Sequence, residues 1–543
     1  MLIVGAGLVP AAASPASMVA GPGPSGPPAV GYSASASGTL LHAAVPAEGT
    51  GPGLVAVDVA PSQASAGLPG LATAVVDETG RTAQPAQAPA IRSYGRGAGL
   101  ELGLLRGASL GFGLGLAGVA EAAAPPRTGL VTRQIGPLAL SPLVYASLLR
   151  GQAEPGWSDR TCVIGRPLGF GVGSVADVQV LDLGGGPAPS GGFRQALLAL
   201  NAGNSPDRVV SQSKSVTYLM PNAQGTFSLV SEVRQTIAPV TLLKGLPGEI
   251  TIELLGEWVL RATASGTPGG AVVEYGPAGD PTPTTPVLRI ITGGHVTELS
   301  LQQVLGNQGL ALSLSPIVEL RLGESPRRPA GTTGAVRVAP GPEQLPDGTR
   351  AAAAVDVLRL RVLGPLPGGL QVLDVRLGHM EARAQVPAGG VSCPLPVRKT
   401  NAPASVRPGE EFTFNISIPA AADALDGLSC DLVGIRAVDT IGGTPADLDF
   451  TLGSASRGGA IAGPVVTWND VGDYHPGDPP ITLTVRGRVE PNSVSGVLND
   501  TVVVTAGIDR CTGGATGQAL TGVRAAGPGA LGGTFTLIGP QVR

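Results

Sequence analysis

The chain has 543 residues, long enough for three or four domains. Its 83 glycines and 51 prolines make up about a quarter of it, yet only 14% of residues are charged and aliphatic residues are plentiful, which excludes a wholly disordered chain. The net charge is −4 with no long run of one sign, so there is no electrostatic basis for binding nucleic acid or an acidic membrane surface.

The first residues, MLIVGAGLVPAAASPAS, run from apolar to small. This is the pattern of a secretory leader over 1–20, although no Lys or Arg precedes Arg81 to supply a basic start. A Pro/Gly linker follows at 21–31. From 32 to 192, short runs such as GLVAVDVA, GLELGLL and VADVQVLDL are bounded by Gly or Pro, and they predict a β-rich domain. PLALSPLVYASLLRGQ is the exception and is expected to be a short helix, with Pro142 in its first turn.

The polar break NAGNSPDR separates this domain from a second β-rich domain over 206–391. There Ile250, Ile252 and Leu254 alternate with Thr251 and Glu253. VDVLRLRVLG and LQVLDVRLGHMEARAQV, joined by PLPGG, predict a hairpin. No later stretch has the ~20 continuous apolar residues of a membrane helix. FTLIGPQVR, at the C-terminus, has neither a hydrophobic anchor nor an LPxTG-like signal, so attachment to an envelope is expected to be non-covalent or through a partner.

The region 393–508 has the clearest pattern. In EFTFNISI, Phe412, Phe414, Ile416 and Ile418 face one way, against Thr413, Asn415 and Ser417. Ile481, Leu483, Val485 and Val489 repeat the alternation, and Trp468 is placed to fill the centre between two such faces. Five or more strands with turns between them predict an Ig-like sandwich. Residues 509–543 are left as a tail containing one strand. Val-x-Lys-Thr, Val-x-Pro-Gly-Glu-x-Phe-Thr-Phe-x-Ile, Val-x-Asp-Thr, Val-Thr-Trp, Pro-Gly-Asp and Val-Leu-Asn-Asp-Thr occur in that order. Together they resemble the domain-of-unknown-function-eleven repeat, an Ig-like module of bacterial cell-surface proteins. The resemblance covers roughly Pro394–Ala506 and implies a surface location. It departs from that family in having a single copy, framed by cysteines.

Cys162, Cys393, Cys430 and Cys511 include no CxxC pair, and in an exported chain they make two disulfides. Three connectivities are open. Cys393 precedes the first strand of the sandwich and Cys430 follows the second, which favours Cys393–Cys430 and leaves Cys162–Cys511. Lys399 in the first strand and Asn499 in the last are candidates for an isopeptide bond, with Asp439 or Glu411 as the assisting acid. The competing expectation is an exposed lysine and a turn asparagine.

Other motifs carry less. Gly113, Gly115 and Gly118 have GxGxxG spacing, and Ser109 sits in a GxSxG frame. So Gly-rich a chain produces both by chance, and neither shows the strand-to-helix context that a pyrophosphate cradle or a nucleophile elbow needs. His42, His295, His379 and His475 are isolated, with His379 expected on a half-buried strand and His475 in a turn. Asp447 and Asp449 suit a solvated strand face better than a calcium site.

The fold class expected is therefore all-β, with several β-rich domains including a C-terminal Ig-like sandwich. The function expected is that of an exported structural or adhesive protein, at the cell surface or outside the cell, with no catalytic residue, cofactor or metal. Its partner is an unidentified surface or extracellular one, with no nucleic acid and no membrane-spanning segment, and cell-envelope association fits. Two alternatives stand beside this: a secreted carbohydrate- or polymer-binding protein, against which six Tyr and three Trp weigh, and a hydrolase with its site within 32–390.

Overall fold

The computed structural model describes residues 31–542 apart from 46–52, 69–74, 77–81, 84–90, 107–111, 127–128, 159–161, 184–193, 201–210, 223, 280, 307–310, 316–317, 323–342, 364–370, 426, 510 and 512–525. The leader at 1–20, nearly all of the linker and Ser109 lie outside the described residues. Within them the chain is all-β, with one short helix, Leu301–Gly306. Among the described residues no helix is long and apolar enough to cross a membrane.

The two expected N-terminal domains are one body. Its first strand, Ser33–Val45, pairs antiparallel with Gln371–Gln385, from Ser33 opposite Gln385 to Ala44 opposite Asp374. Gly169–Val175 pairs with Ser211–Pro221 across the expected boundary, with Gly169 opposite Thr217. The polar break itself lies outside the described residues, between Ala196–Leu200 of one sheet and Ser211–Pro221 of another. The hairpin forms as expected, Arg350–Leu363 pairing with Gln371–Gln385.

The body is built from strands that turn a corner. Ser33–Val45 pairs with Gly53–Val59 along its second half and with Ser62–Gly67 along its first. Ala60, in the left-handed region at φ 49°, makes the bend between those two. The next strands, Ser93–Gly97 into Leu100–Arg106 and Phe112–Ala117 into Ala120–Ala124, bend at the same level. The corners are stitched together: Ala60 N–H donates to Gly99 O at 2.8 Å and Gly99 N–H to Ala117 O at 3.0 Å. Such bends let one strand serve two sheets. Here lies the reading of the GxGxxG motif: Gly113 and Gly115 are in a strand and Gly118, at φ 65°, is the corner residue. A second run of corners links a seven-stranded and an eight-stranded sheet, as where Val144–Ala146 passes into Leu149–Pro155. That segment is strand and not the expected helix. Pro142 sits in the turn before it, and Val144, Ala146 and Leu149 enter the core shared by the three sheets.

Some of the glycines have a packing cause. Strand Ser93–Gly97 lies against Gly169–Val175 of the facing sheet with glycine against backbone. A Cβ on Gly97 would stand 1.9 Å from Val172 O, and one on Gly171 2.1 Å from Arg96 O. The backbones thus touch, where sheets bearing larger side chains stand about 10 Å apart. Serines extend the same interface, with Ser62 Oγ 2.9 Å from Ser213 Oγ and 2.8 Å from Ser215 Oγ.

The C-terminal region is a two-sheet sandwich. One sheet orders Arg398–Ala402, Glu411–Ile418, Ile481–Val489 and Phe450–Ala455. The other is centred on Gly496–Asp509, flanked by Asp431–Thr444 and Ala526–Val542. The expected tail is therefore part of the sandwich, with Val503 opposite Thr534. Phe412, Phe414, Ile416, Trp468, Val502 and Val504 fill its core. Burying aromatic side chains of this size contributes on the order of 2–3 kcal/mol each. The Trp468 indole N–H donates to Ser456 O at 2.8 Å, so its polar atom is satisfied inside the core.

Candidate functional site

Three ionisable side chains lie at the centre of this sandwich. Lys399 is in the strand Arg398–Ala402, opposite Ile416, and points inward. On the facing sheet, Asp439 lies opposite Val502 and Asp500 opposite Ile441. The two aspartates are thus diagonal neighbours on one face, within side-chain reach of each other. Lys399 Nζ donates to Asp439 Oδ1 and also contacts Asp500 Oδ2. All three side chains are 0% exposed. The amine lies 5.0 Å from the centre of the Phe414 ring, which closes the site on one side.

The electrostatics are unbalanced. The two carboxyls crowd each other as well as the amine, and Asp500 hydrogen-bonds with Asp439. Burial pushes the Asp500 carboxyl up to about 8; Lys399 opposes that rise and Asp439 adds to it. Near neutral pH the Asp500 carboxyl is therefore protonated, shut away from water beside Lys399 and Asp439. A buried pair of opposite charges already costs desolvation that its attraction barely offsets, and a third ionisable group adds to that cost. Chemically, the set supplies a nucleophile, an acyl group and a proton carrier.

Asn499 is not part of the site. It lies half-buried and donates through its side chain to Thr444 Oγ1 at 2.5 Å. Glu411 is exposed at the start of its strand. One step along a strand reverses the face, so the residue that reaches Lys399 is Asp500. Its signal was in the pattern: Leu498, Asp500, Val502 and Val504 occupy the inward register of one strand, and Ala437, Asp439 and Ile441 that of another. A charged residue on an apolar register is the mark of such a site. Lys399 itself is inward-pointing and not exposed.

The cysteines pair as Cys162–Cys393 and Cys430–Cys511, against the expected Cys393–Cys430 and Cys162–Cys511. The physical reason lies outside the sandwich. Residues of the N-terminal body insert beside it: Ile164 N–H donates to Gly427 O at 3.0 Å and Ser429 N–H to Ile164 O at 3.0 Å. This carries Cys162 to Cys393. Asp431 pairs with Asp509, which brings Cys430 beside Cys511. Both disulfides lie at one junction, where a Cβ on Gly165 would stand 2.5 Å from Cys430 Sγ.

Three of the four histidines lie beside carboxylates. His42 Nδ1 lies 2.6 Å from Asp58 Oδ1 on the adjacent strand, both buried. His379 is more buried than expected and lies between Asp356 Oδ1, at 2.7 Å, and Glu381 Oε1, at 3.1 Å. His475 is exposed, 2.9 Å from Asp431 Oδ1, and that carboxylate raises its pKa. Asp447 and Asp449 lie exposed in a turn. Among the described residues no cluster of three or more His, Cys, Asp or Glu is arranged to hold a metal ion.

No protein-family model matches the chain, and no curated protein matches it. Among solved structures it is similar to the N-terminal domain of the Streptococcus gordonii adhesin Sgo0707, at 8% identity and a TM-score of 0.15 over 70% of this chain and 88% of that one. It is also similar to a protein of Corynebacterium diphtheriae described as membrane anchored, at 10% identity and a TM-score of 0.14 over 69% of this chain and 92% of the other. Neither likeness, at so low a score, bears on what this chain does.

Proposed function

We propose that this is an exported structural protein of the cell surface or its surroundings, a cross-linked β-scaffold that holds or displays binding surfaces and performs no catalysis on a substrate. The observation that carries the reading is the junction. All four cysteines are spent on two disulfides where the N-terminal body meets the sandwich. Disulfides of this kind persist in oxidising compartments and are rare in a reducing cytosol. Tying two bodies at one place resists their separation, which suits a strut more than a hinged enzyme. The alternating inward register of the sandwich agrees with the surface-module resemblance of Pro394–Ala506.

Cell fractionation of the native host with thiol trapping tests this. The protein is expected outside the cytoplasm with all four cysteines oxidised. Recovery from the cytoplasm with free thiols would overturn the export and the scaffold role together.

A further inference from the structure

We infer that Lys399 and Asp500 join in an intramolecular amide, formed by the folded sandwich itself with Asp439 as proton carrier. Lys399 meets both aspartates, and burial, which raises the Asp500 carboxyl to about 8, makes Asp500 the one able to lose hydroxyl as water. Lys399 Nζ makes an aligned hydrogen bond to Asp439 Oδ1, the geometry for passing a proton. Its contact with Asp500 Oδ2 is equally close, so the amine faces both carboxyls at once. Phe414 and the sandwich core exclude water from the reacting atoms.

The step balances without any further reactant. The Asp439 carboxylate takes a proton from the Lys399 ammonium and frees the Nζ lone pair. Nζ attacks Cγ of the protonated Asp500 carboxyl, the C–N bond forms, and one C–O bond breaks. The departing hydroxyl takes a second proton from Nζ and leaves as water. Asp439 ends as a neutral acid able to donate to the new amide carbonyl. Three buried ionisable groups become an amide and a hydrogen-bonded acid, so the desolvation cost of the starting arrangement is removed. Two strands on opposite sheets, the first of the sandwich and Gly496–Asp509, become one covalent unit. The inference concerns the sandwich alone and stands whether or not the protein is exported.

Peptide mapping of the full-length folded protein, reduced and alkylated before trypsin, decides the matter. The expected product is a branched peptide joining the segment that begins at Lys399 to the segment containing Asp500, lighter than the two linear peptides by one water. Asp500→Asn is expected to give the same branch with loss of ammonia, and Asn499→Ala to leave it intact. Lys399→Arg and Asp439→Asn are expected to give linear peptides only. Folded wild-type protein yielding only linear peptides would overturn the proposal, and this measurement needs no variant to fold. A branch at Asp439 would overturn the assignment of the acceptor, and a branch surviving in Asp439→Asn the assignment of the proton carrier.

Discussion

Removing the disulfides one pair at a time tests the junction quantitatively. Cys430–Cys511 closes a sequence separation of 81 and Cys162–Cys393 one of 231. The loop-closure relation assigns about 4.5 kcal/mol to the first and about 5.5 kcal/mol to the second at 25 °C, as upper figures, with measured losses more often about 2–4 kcal/mol. The second loop in the chain opens at Cys430, after the first has closed at Cys393, so the two are neither nested nor overlapping. Their effects on the unfolded chain should therefore add, to a loss of up to about 10 kcal/mol, comparable with the whole stability of a typical domain. The assay is urea unfolding followed by tryptophan fluorescence, since Trp258 reports the core of the body and Trp468 that of the sandwich. Cys162→Ala/Cys393→Ala and Cys430→Ala/Cys511→Ala are compared with the four-alanine variant. That last variant is expected to be unfolded or close to it. If it is no less stable than either pair variant, the reasoning from separate loops fails. Thiol labelling checks the connectivity: Cys393→Ala should expose Cys162, and labelling of Cys430 in its place would refute the pairing.

Further outcomes are expected elsewhere. Gly171→Ala should destabilise the N-terminal body by about 1–3 kcal/mol, because its Cβ meets backbone that has no room to yield, whereas Gly442→Ala, with nothing within 4 Å of the new atom, should change stability by less than about 0.5 kcal/mol; thermal denaturation of both compares them. Trp468→Ala should cost about 3–5 kcal/mol in chemical denaturation through the cavity it leaves. His475, followed by NMR, should titrate above its ordinary 6.5 in wild type and move down in Asp431→Asn. Because its pKa is raised on folding, the stabilisation from this pair should be complete below pH 6.5 and fade as pH rises through the folded value.

The strands of the sandwich were legible because each carries its face in its own alternation. Phe412, Phe414, Ile416 and Ile418 are buried and their neighbours are not, and this depends only on the two-residue period of a strand. The buried charges carry the same signal: Asp439 and Asp500 stand where the register calls for apolar residues. Asn499 and Asp500 are one residue apart, which in a strand places them on opposite faces. The corners of the N-terminal body were not legible. A bend at Ala60 or Gly118 looks like any other turn until its neighbours are seen to bend at the same level.

The amino-acid sequence alone determined the all-β class, the alternating faces and the presence of four cysteines and three lysines, because these rest on composition and on local period. Tertiary structure decided which strands are neighbours. It joined Ser33–Val45 to Gln371–Gln385, made the C-terminal tail part of the sandwich, exchanged the expected disulfide partners and set Asp500 beside Lys399. The physical reason is common to all four. Pairing between distant strands is chosen by how whole faces bury against one another, and no single segment carries that information.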